Sequence, residues 1–464
     1  MKISSSTEPI PDPTPLLLLL PVIVILLWPE TFGTTVLAIV GGMCVVPLVY
    51  SFVRRPEIAV VALIVASAVP RLYVEIVGLK ARPEHIVGGL VFCALPFVLK
   101  RRREPVRWTA VDYLLVAYIG VNIISSVFMS IDPSKTLKWS MQQALVILPY
   151  FFLRVLITDR AGFQRAFRVL LIAGAATAGF ALLCFYSNLL FGTDIGVDVE
   201  QYKGIPATYG LQYEGNILAA YCGAVAVMMM TMYVMKRKRG YLIGYGVFGL
   251  AGMVISLSRA AVGATAIGLS LLLIWGLWRK FLNKQMVYRA AAVTLVVVVV
   301  LTPIILPFYL DRFSTVDVAD VSEDPNTALR LVQAVSATDN ILAHPILGNG
   351  TASFQLSFGW EELGIEDWEG GAWISNTEMR VLHDTGIIGF GIFFAFLIGL
   401  LRLSWKVLKQ ELNPELLALL FSAVVYSITF QITEGTLLAF SWVHLGLIGC
   451  AVSYLNQQQP VEEK

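Results

Sequence analysis

Between Asp311 and Gly389 the chain carries its one long polar stretch, and two compact groups in it could do chemistry. The first is Ala343-His344-Pro345-Ile346-Leu347-Gly348-Asn349-Gly350. The second runs from Ser375-Asn376-Thr377-Glu378 through Arg380, His383 and Asp384 to Gly386 and Gly389. Asn376, Arg380, His383 and Asp384 recur at steps of three and four residues, so on a helix they share one face. A carboxylate or imidazole there can take a proton from an attacking hydroxyl, a contribution of about a hundred- to ten-thousandfold in rate. Glu378, His383 and Asp384 are the candidates for that role. The other use of His383 and Asp384 is structural, as capping or ion-pairing groups near the start of the next helix.

Two further arginines have the chemistry of anion binding. Arg259 stands in Ile255-Ser256-Leu257-Ser258-Arg259-Ala260-Ala261 between two apolar runs, where a guanidinium is costly unless it snorkels to water or meets an anion. Arg330, in Thr327-Ala328-Leu329-Arg330, opens an amphipathic run that leads into His344; its alternative is a salt bridge to Glu323 or Asp324. Arginine grips phosphate oxygens through a planar fork and keeps its charge at every relevant pH. Two or three arginines at a membrane boundary would form a clamp for a diphosphate head group, and Arg380 is the third candidate.

The elements that must position these residues are read from composition. Hydrophobic residues make up 57% of the chain and charged residues 14%, against about 25% charged in ordinary globular proteins, and the mean hydropathy is +0.74. The apolar runs have the length an α-helix needs to cross about 30 Å of hydrocarbon and lack the alternation of membrane strands. The fold class expected is an all-α polytopic membrane protein with about twelve to fourteen transmembrane helices and one large external loop containing short helices. Helices fill 1–308, the loop is 309–386, and 387–464 holds the last helices and a short tail. The N-terminal run at 16–28 lacks a small-residue cleavage site and reads as an anchor, not a removed signal.

Arg54-Arg55, Lys100 to Arg103, Arg160/Arg165/Arg168, Lys236 to Arg239, Arg279 to Arg289 and Lys406/Lys409 fall in every second loop. Basic short loops stay cytoplasmic, which puts both termini inside and the 309–386 loop outside the membrane. That loop has thirteen acids against three arginines, and its length calls for a functional role. Trp360, Trp368 and Trp373 could offer flat ring faces to a ligand or form the core of the loop. His444, alone inside a late span, reads as a hydrogen-bonded structural residue.

Ser258-Arg259-Ala260-Ala261, Arg330 ahead of His344-Pro345-Ile346-Leu347-Gly348-Asn349-Gly350, and Asn376 ahead of Gly386-Ile387-Ile388-Gly389 resemble, in order and spacing, the O-antigen ligase and O-antigen polymerase superfamily. Glu214-Gly215-Asn216-Ile217-Leu218-Ala219 is similar to that family's Asn-containing span start. The resemblance implies a metal-independent, inverting glycosyltransferase of type C architecture that uses no cofactor. It would take a glycan from an undecaprenyl diphosphate carrier in the membrane lipid and pass it to a glycan acceptor. It also implies that Arg259 and Arg330 hold the diphosphate, with Asn216, His344 and Asn376 around the site. The family commonly has His where this chain has Ser375, and that His is the usual base in ligases. Its absence tilts the expectation towards polymerisation of O-antigen or exopolysaccharide repeats, with ligation to lipid A core or protein as the alternative.

Asp198-Val199-Glu200 superficially matches a metal-binding acid pair, but two carboxylates are too common a pattern to make a site. The five cysteines have neither disulfide nor zinc spacing. Walker, Gly-x-Ser-x-Gly and His-Glu-x-x-His motifs are missing from the sequence, and the basic clusters are explained by topology, so nucleic acid is not an expected partner. A transporter of lipid-linked glycan would need charged groups near the bilayer midplane, whereas here they gather at one face. A non-catalytic scaffold among other polysaccharide-assembly proteins is the remaining alternative.

Overall fold

Proline and short polar side chains mark where the helices begin. Pro56, Pro83, Pro133 and Pro414 each occupy a first helical position, where the missing N–H costs nothing and φ is already helical. Asp132, Asp159, Asn376 and Asn413 each accept from a backbone amide in the first turn that follows, which satisfies a donor the helix itself cannot.

The computed structural model describes residues 34–76, 79–102, 105–199, 207–314, 325–357 and 373–457. The expected anchor at 16–28, Glu200, Glu323, Asp324, Trp360 and Trp368 lie outside these described residues. The helices are α1 (Thr34–Arg54), α2 (Pro56–Ser67), α3 (Pro83–Arg101), α4 (Ala110–Phe128), α5 (Pro133–Leu156), α6 (Arg160–Phe191) and α7 (Gly215–Lys236). A rod follows, made of α8 (Arg239–Gly244), a π turn (Tyr245–Leu250) and α9 (Ala251–Val254). Then come α10 (Arg259–Trp278), α11 (Lys284–Ser314), α12 (Pro325–Ala343), the short α13 (Phe354–Ser357), α14 (Thr377–Gln410), α15 (Pro414–Thr429) and α16 (Ala439–Gln457). Two small antiparallel pairs complete the described fold: β1 (Val74–Ile76) with β2 (Leu79–Ala81), and β3 (Val197–Asp198) with β4 (Ala207–Thr208).

Seven of the helices, among the described residues, are long and apolar enough to cross a membrane, and four shorter apolar helices accompany them. The protein is an all-α multi-pass membrane protein. Both helices that bound the expected 309–386 loop reach into it, α11 to Ser314 and α14 from Thr377.

The centre of the bundle is α7, whose apolar window is wholly buried, whereas that of α11 is 11% buried and lines the outside. Small residues let neighbours approach α7 closely. A Cβ on Gly223 would lie 2.2 Å from the Thr265 hydroxyl of α10, and one on Gly249 would lie 2.5 Å from Ala226 Cβ. Where lipid supplies no hydrophobic force between helices, this close packing is what holds them. His444 sits in the same interior with Nε2 2.8 Å from the Leu419 carbonyl oxygen and its ring edge-on to Tyr426. All five cysteines are free thiols.

Candidate functional site

A break in α14 organises one end of the bundle. At Gly386 the backbone turns to φ 60° and ψ −168°, a conformation that only glycine adopts readily, so the helical hydrogen bonds across it are lost. The 345–350 loop replaces them. The His383 and Asp384 carbonyls accept from the Asn349 amide (2.8 Å) and the Gly350 amide (3.1 Å), while the Ile387 and Ile388 amides donate to the Pro345 carbonyl (2.9 Å) and the Ile346 carbonyl (3.3 Å). The fit requires Gly348, because a Cβ there would lie 2.5 Å from the amide nitrogens of Thr385 and Gly386. From α4, Ser125 Oγ donates to the Asp384 carbonyl (2.7 Å) and accepts from the Gly350 amide (3.0 Å), and Ser126 Oγ accepts from the Thr351 amide (3.0 Å). The two glycine-rich motifs are therefore the two halves of one backbone joint.

The joint presents a buried ionic group. Asp384 accepts through Oδ2 from Arg380 Nε (3.3 Å) and the Ala352 amide (2.9 Å), and its Oδ1 lies 2.9 Å from His383 Nδ1. Arg380 Nη1 is 3.0 Å from Glu434 Oε2, in ion-pair contact but without hydrogen-bond alignment, and Nη2 has no hydrogen-bond partner among the described residues. The other oxygen of Glu434 is anchored by the Thr436 amide and hydroxyl and by the Leu437 amide (3.2 Å). His383 is fully buried, edge-on to Phe354, and its Nε2 is unpartnered among the described residues. Trp373 covers the Arg380 guanidinium at 5.0 Å and is itself 41% exposed.

Other walls converge on the 433–437 loop. Thr433 donates its hydroxyl to Glu214, and its carbonyl accepts from the Thr377 hydroxyl (3.3 Å). Next to Glu214, Gly215 presses so closely on Ser256 that a Cβ would lie 2.7 Å from the Ser256 carbonyl oxygen. This brings the Asn216 and Ser258-Arg259 motifs together. Arg82 donates to the Leu437 carbonyl (3.4 Å) and to the Tyr213 hydroxyl (2.9 Å), which donates in turn to the Pro70 carbonyl (2.7 Å). Burial pushes the Tyr213 phenol above its ordinary range, with the Arg82 charge opposing, so the phenol keeps the proton this chain of bonds needs.

The residues singled out in the sequence divide as follows. Asn376 caps α14, accepting from the Met379 amide (2.8 Å) and donating to the Gln431 carbonyl (3.0 Å). Glu378 is half-buried and accepts from the Gln431 amide side chain (2.8 Å). Arg380, His383 and Asp384 form the buried group just described. His344 contributes its backbone to the joint while its imidazole is exposed. Asn216 is half-buried in the first turn of α7, and Arg259 is exposed in the first turn of α10. Arg330 is half-buried on α12, one turn before Gln333, whose side-chain oxygen accepts from Ser375 Oγ (3.1 Å). Ser125, Ser126 and Glu434 join the site without standing out in the sequence as site residues. The signal for Glu434 was there, an acid in a very short joint between two apolar runs. Among the described residues no three His, Cys, Asp or Glu side chains gather as metal ligands.

Residues 244–394 match the family model described as O-Antigen ligase. That match, over about a third of the chain, supports the O-antigen ligase and polymerase superfamily. No curated protein matches the chain. The matched segment contains Arg259, Arg330, the 345–350 loop and Gly386, the parts that meet at one end of the bundle. It ends before Glu434 and begins after Asn216, so two walls of the site come from outside it. Glycosyl transfer of the ligase and polymerase type is the activity that goes with such a domain, with a lipid-linked glycan and an acceptor as substrates in a bacterial membrane.

Proposed function

We propose that the chain polymerises O-antigen or exopolysaccharide repeats, transferring the glycan of an undecaprenyl diphosphate donor to an acceptor glycan at the outer face of the cytoplasmic membrane. The observation that carries this reading is the convergence of the Asn216, Arg259, 345–350 and 376–389 motifs on one end of the bundle, around Arg380, whose Nη2 has no hydrogen-bond partner among the described residues. Arg259 and Arg330 would hold the diphosphate, since an exposed first-turn arginine and a half-buried one on α12 offer phosphate oxygens the planar fork of a guanidinium. Arg380, enclosed by Asp384 and Glu434, would position the site and not grip the phosphate directly.

Inverting displacement needs a base on the acceptor hydroxyl and charge neutralisation on the departing diphosphate. Glu378, the most accessible of the three candidate bases, would take the proton. Buried His383 and Asp384 would hold the geometry. Bond energy is already present in the donor phosphate ester, so positioning and charge stabilisation carry the rate, with no metal called upon. Trp373, half-open over Arg380, offers a face for a sugar ring. The family description itself favours a second reading, ligation to lipid A core or protein.

Glycan analysis of cells carrying Arg259→Ala or Arg330→Ala tests the clamp. Polymer should be shortened or lost, and Arg259→Lys should be impaired as well because it cannot form the fork. Unchanged polymer length and amount in both alanine variants would overturn the clamp, and product attached to lipid A core would move the reading to ligation.

A further inference from the structure

At the end of the bundle away from Arg380, a cavity of about 650 Å³ opens between the α1–α2 turn, the end of α3 and the start of α6. Its rim carries Arg55, Arg101, Arg102, Arg165 and Arg168 against two acids, Glu57 and Asp159. The Asp159 carboxylate is committed to the Gly162 amide (2.6 Å), where it caps α6, and Glu57 lies in the first turn of α2. Arg101 donates to the Val53 carbonyl (3.3 Å) and Arg102 to the Val155 carbonyl (2.7 Å), which tethers both guanidiniums to the rim. Arg165 and Arg168 are exposed. Two helix N-termini, of α2 and α6, border the same opening and add to its positive potential.

The rest of the lining is largely apolar, with Val61, Val98, Val169 and Ile172 among it, and Ile172 faces outward along α6. Ile172 lies ten residues along α6 from Gly162, about 15 Å at the helical rise. A free anion would need the rim alone; a ligand with an anionic head and hydrocarbon tails uses both parts. Basic short loops are ordinary on the cytoplasmic side of a membrane protein, but that rule asks only for charge in the loops and not for arginines at the head of an apolar groove. We infer that this cavity is a binding site for an anionic phospholipid, with the phosphate among the arginines and the upper acyl chains along α6. Grooves of this kind between helices suit phosphate-headed lipids. The inference is independent of the transfer reading.

Lipid titration of the full chain by native mass spectrometry tests it, with phosphatidylglycerol, phosphatidylcholine and inorganic phosphate as separate probes. Phosphatidylglycerol should bind roughly tenfold or more tightly than phosphatidylcholine. Arg165→Ala/Arg168→Ala should remove most of that preference, while Lys284→Ala/Arg289→Ala, two exposed basic positions in the first turns of α11, should keep it. Equal binding of the two lipids would overturn the site, and so would equal loss in both double variants, which would mean diffuse charge attraction. Retention of inorganic phosphate as strongly as phosphatidylglycerol would replace the lipid site by a simple anion site.

Discussion

Arg154 and Arg380 are both buried, at opposite ends of α4, and the chain treats them differently. Arg154 donates from Nε and Nη2 to the two oxygens of Asp112 (3.0 and 2.9 Å), from Nη1 to the Gly449 carbonyl (3.1 Å) and from Nη2 to the Arg107 carbonyl (3.0 Å). Tyr150 and Thr109 complete the shell of Asp112. Arg380 has one aligned bond, to Asp384, one unaligned contact, to Glu434, and an Nη2 without a partner among the described residues. From Asp112 to Ser125, which bonds the Asp384 carbonyl, is thirteen residues, about 20 Å of helix. One end is a closed polar lock that ties α4, α5 and α16 together. At the other, Arg380 Nη2 and His383 Nε2 are buried without a hydrogen-bond partner among the described residues, a costly arrangement in a low-dielectric interior that natural chains tolerate mostly at functional sites.

The contrast can be broken most severely at the lock. Arg154→Ala strands the Asp112 carboxylate inside the bundle and should destabilise the protein by about 3–5 kcal/mol, read as loss of folded protein in a detergent melt. Next, Arg380→Lys keeps a positive charge beside Asp384 and Glu434 but loses the planar fork. We expect a roughly hundredfold loss of glycan transfer, the scale of a small misplacement in a site, with a melting temperature near that of the parent. Gly386→Ala places a methyl about 2.3 Å from the Ile346 carbonyl oxygen at φ 60°. It should cost at least about 2 kcal/mol and show increased amide exchange at 345–350 if the joint is a joint. The smallest effect expected is that of Asn376→Ala, which removes a cap worth about 1 kcal/mol and should lower the melt slightly, where Asn376→Ser should not.

Much of this architecture was legible in the chain. Hydrophobic runs of membrane-spanning length announced the helices, and the motifs marked the segments around the site, with Gly348 and Gly386 explained once the fold brings them into one backbone joint. The shared helical face of Arg380, His383 and Asp384 could be read from spacing alone. Two things could not be read. The use of Arg380 as the partner of two carboxylates depends on Glu434, fifty-four residues further on, and no local pattern pairs them. The role of α4 was equally hidden, since Ser125 and Ser126 look like ordinary small polar residues at a span's end until the fold sets them against the Asp384 carbonyl and the Thr351 amide. His344 shows the reverse, a prominent motif residue whose backbone, not its imidazole, is used in the joint.

The central claim is that the Arg380 end performs the transfer while the Arg154 end only holds the bundle together. Its most direct test is turnover of a diphosphate-linked repeat-unit donor by the purified protein, measured as carrier diphosphate released per folded molecule, for the parent, Arg380→Lys and Arg154→Lys. The account predicts that Arg380→Lys melts like the parent and turns over about a hundredfold more slowly, and that Arg154→Lys melts lower but keeps the parent's turnover per folded molecule. Parent-like turnover in Arg380→Lys, or equal loss of turnover in both variants, would contradict it.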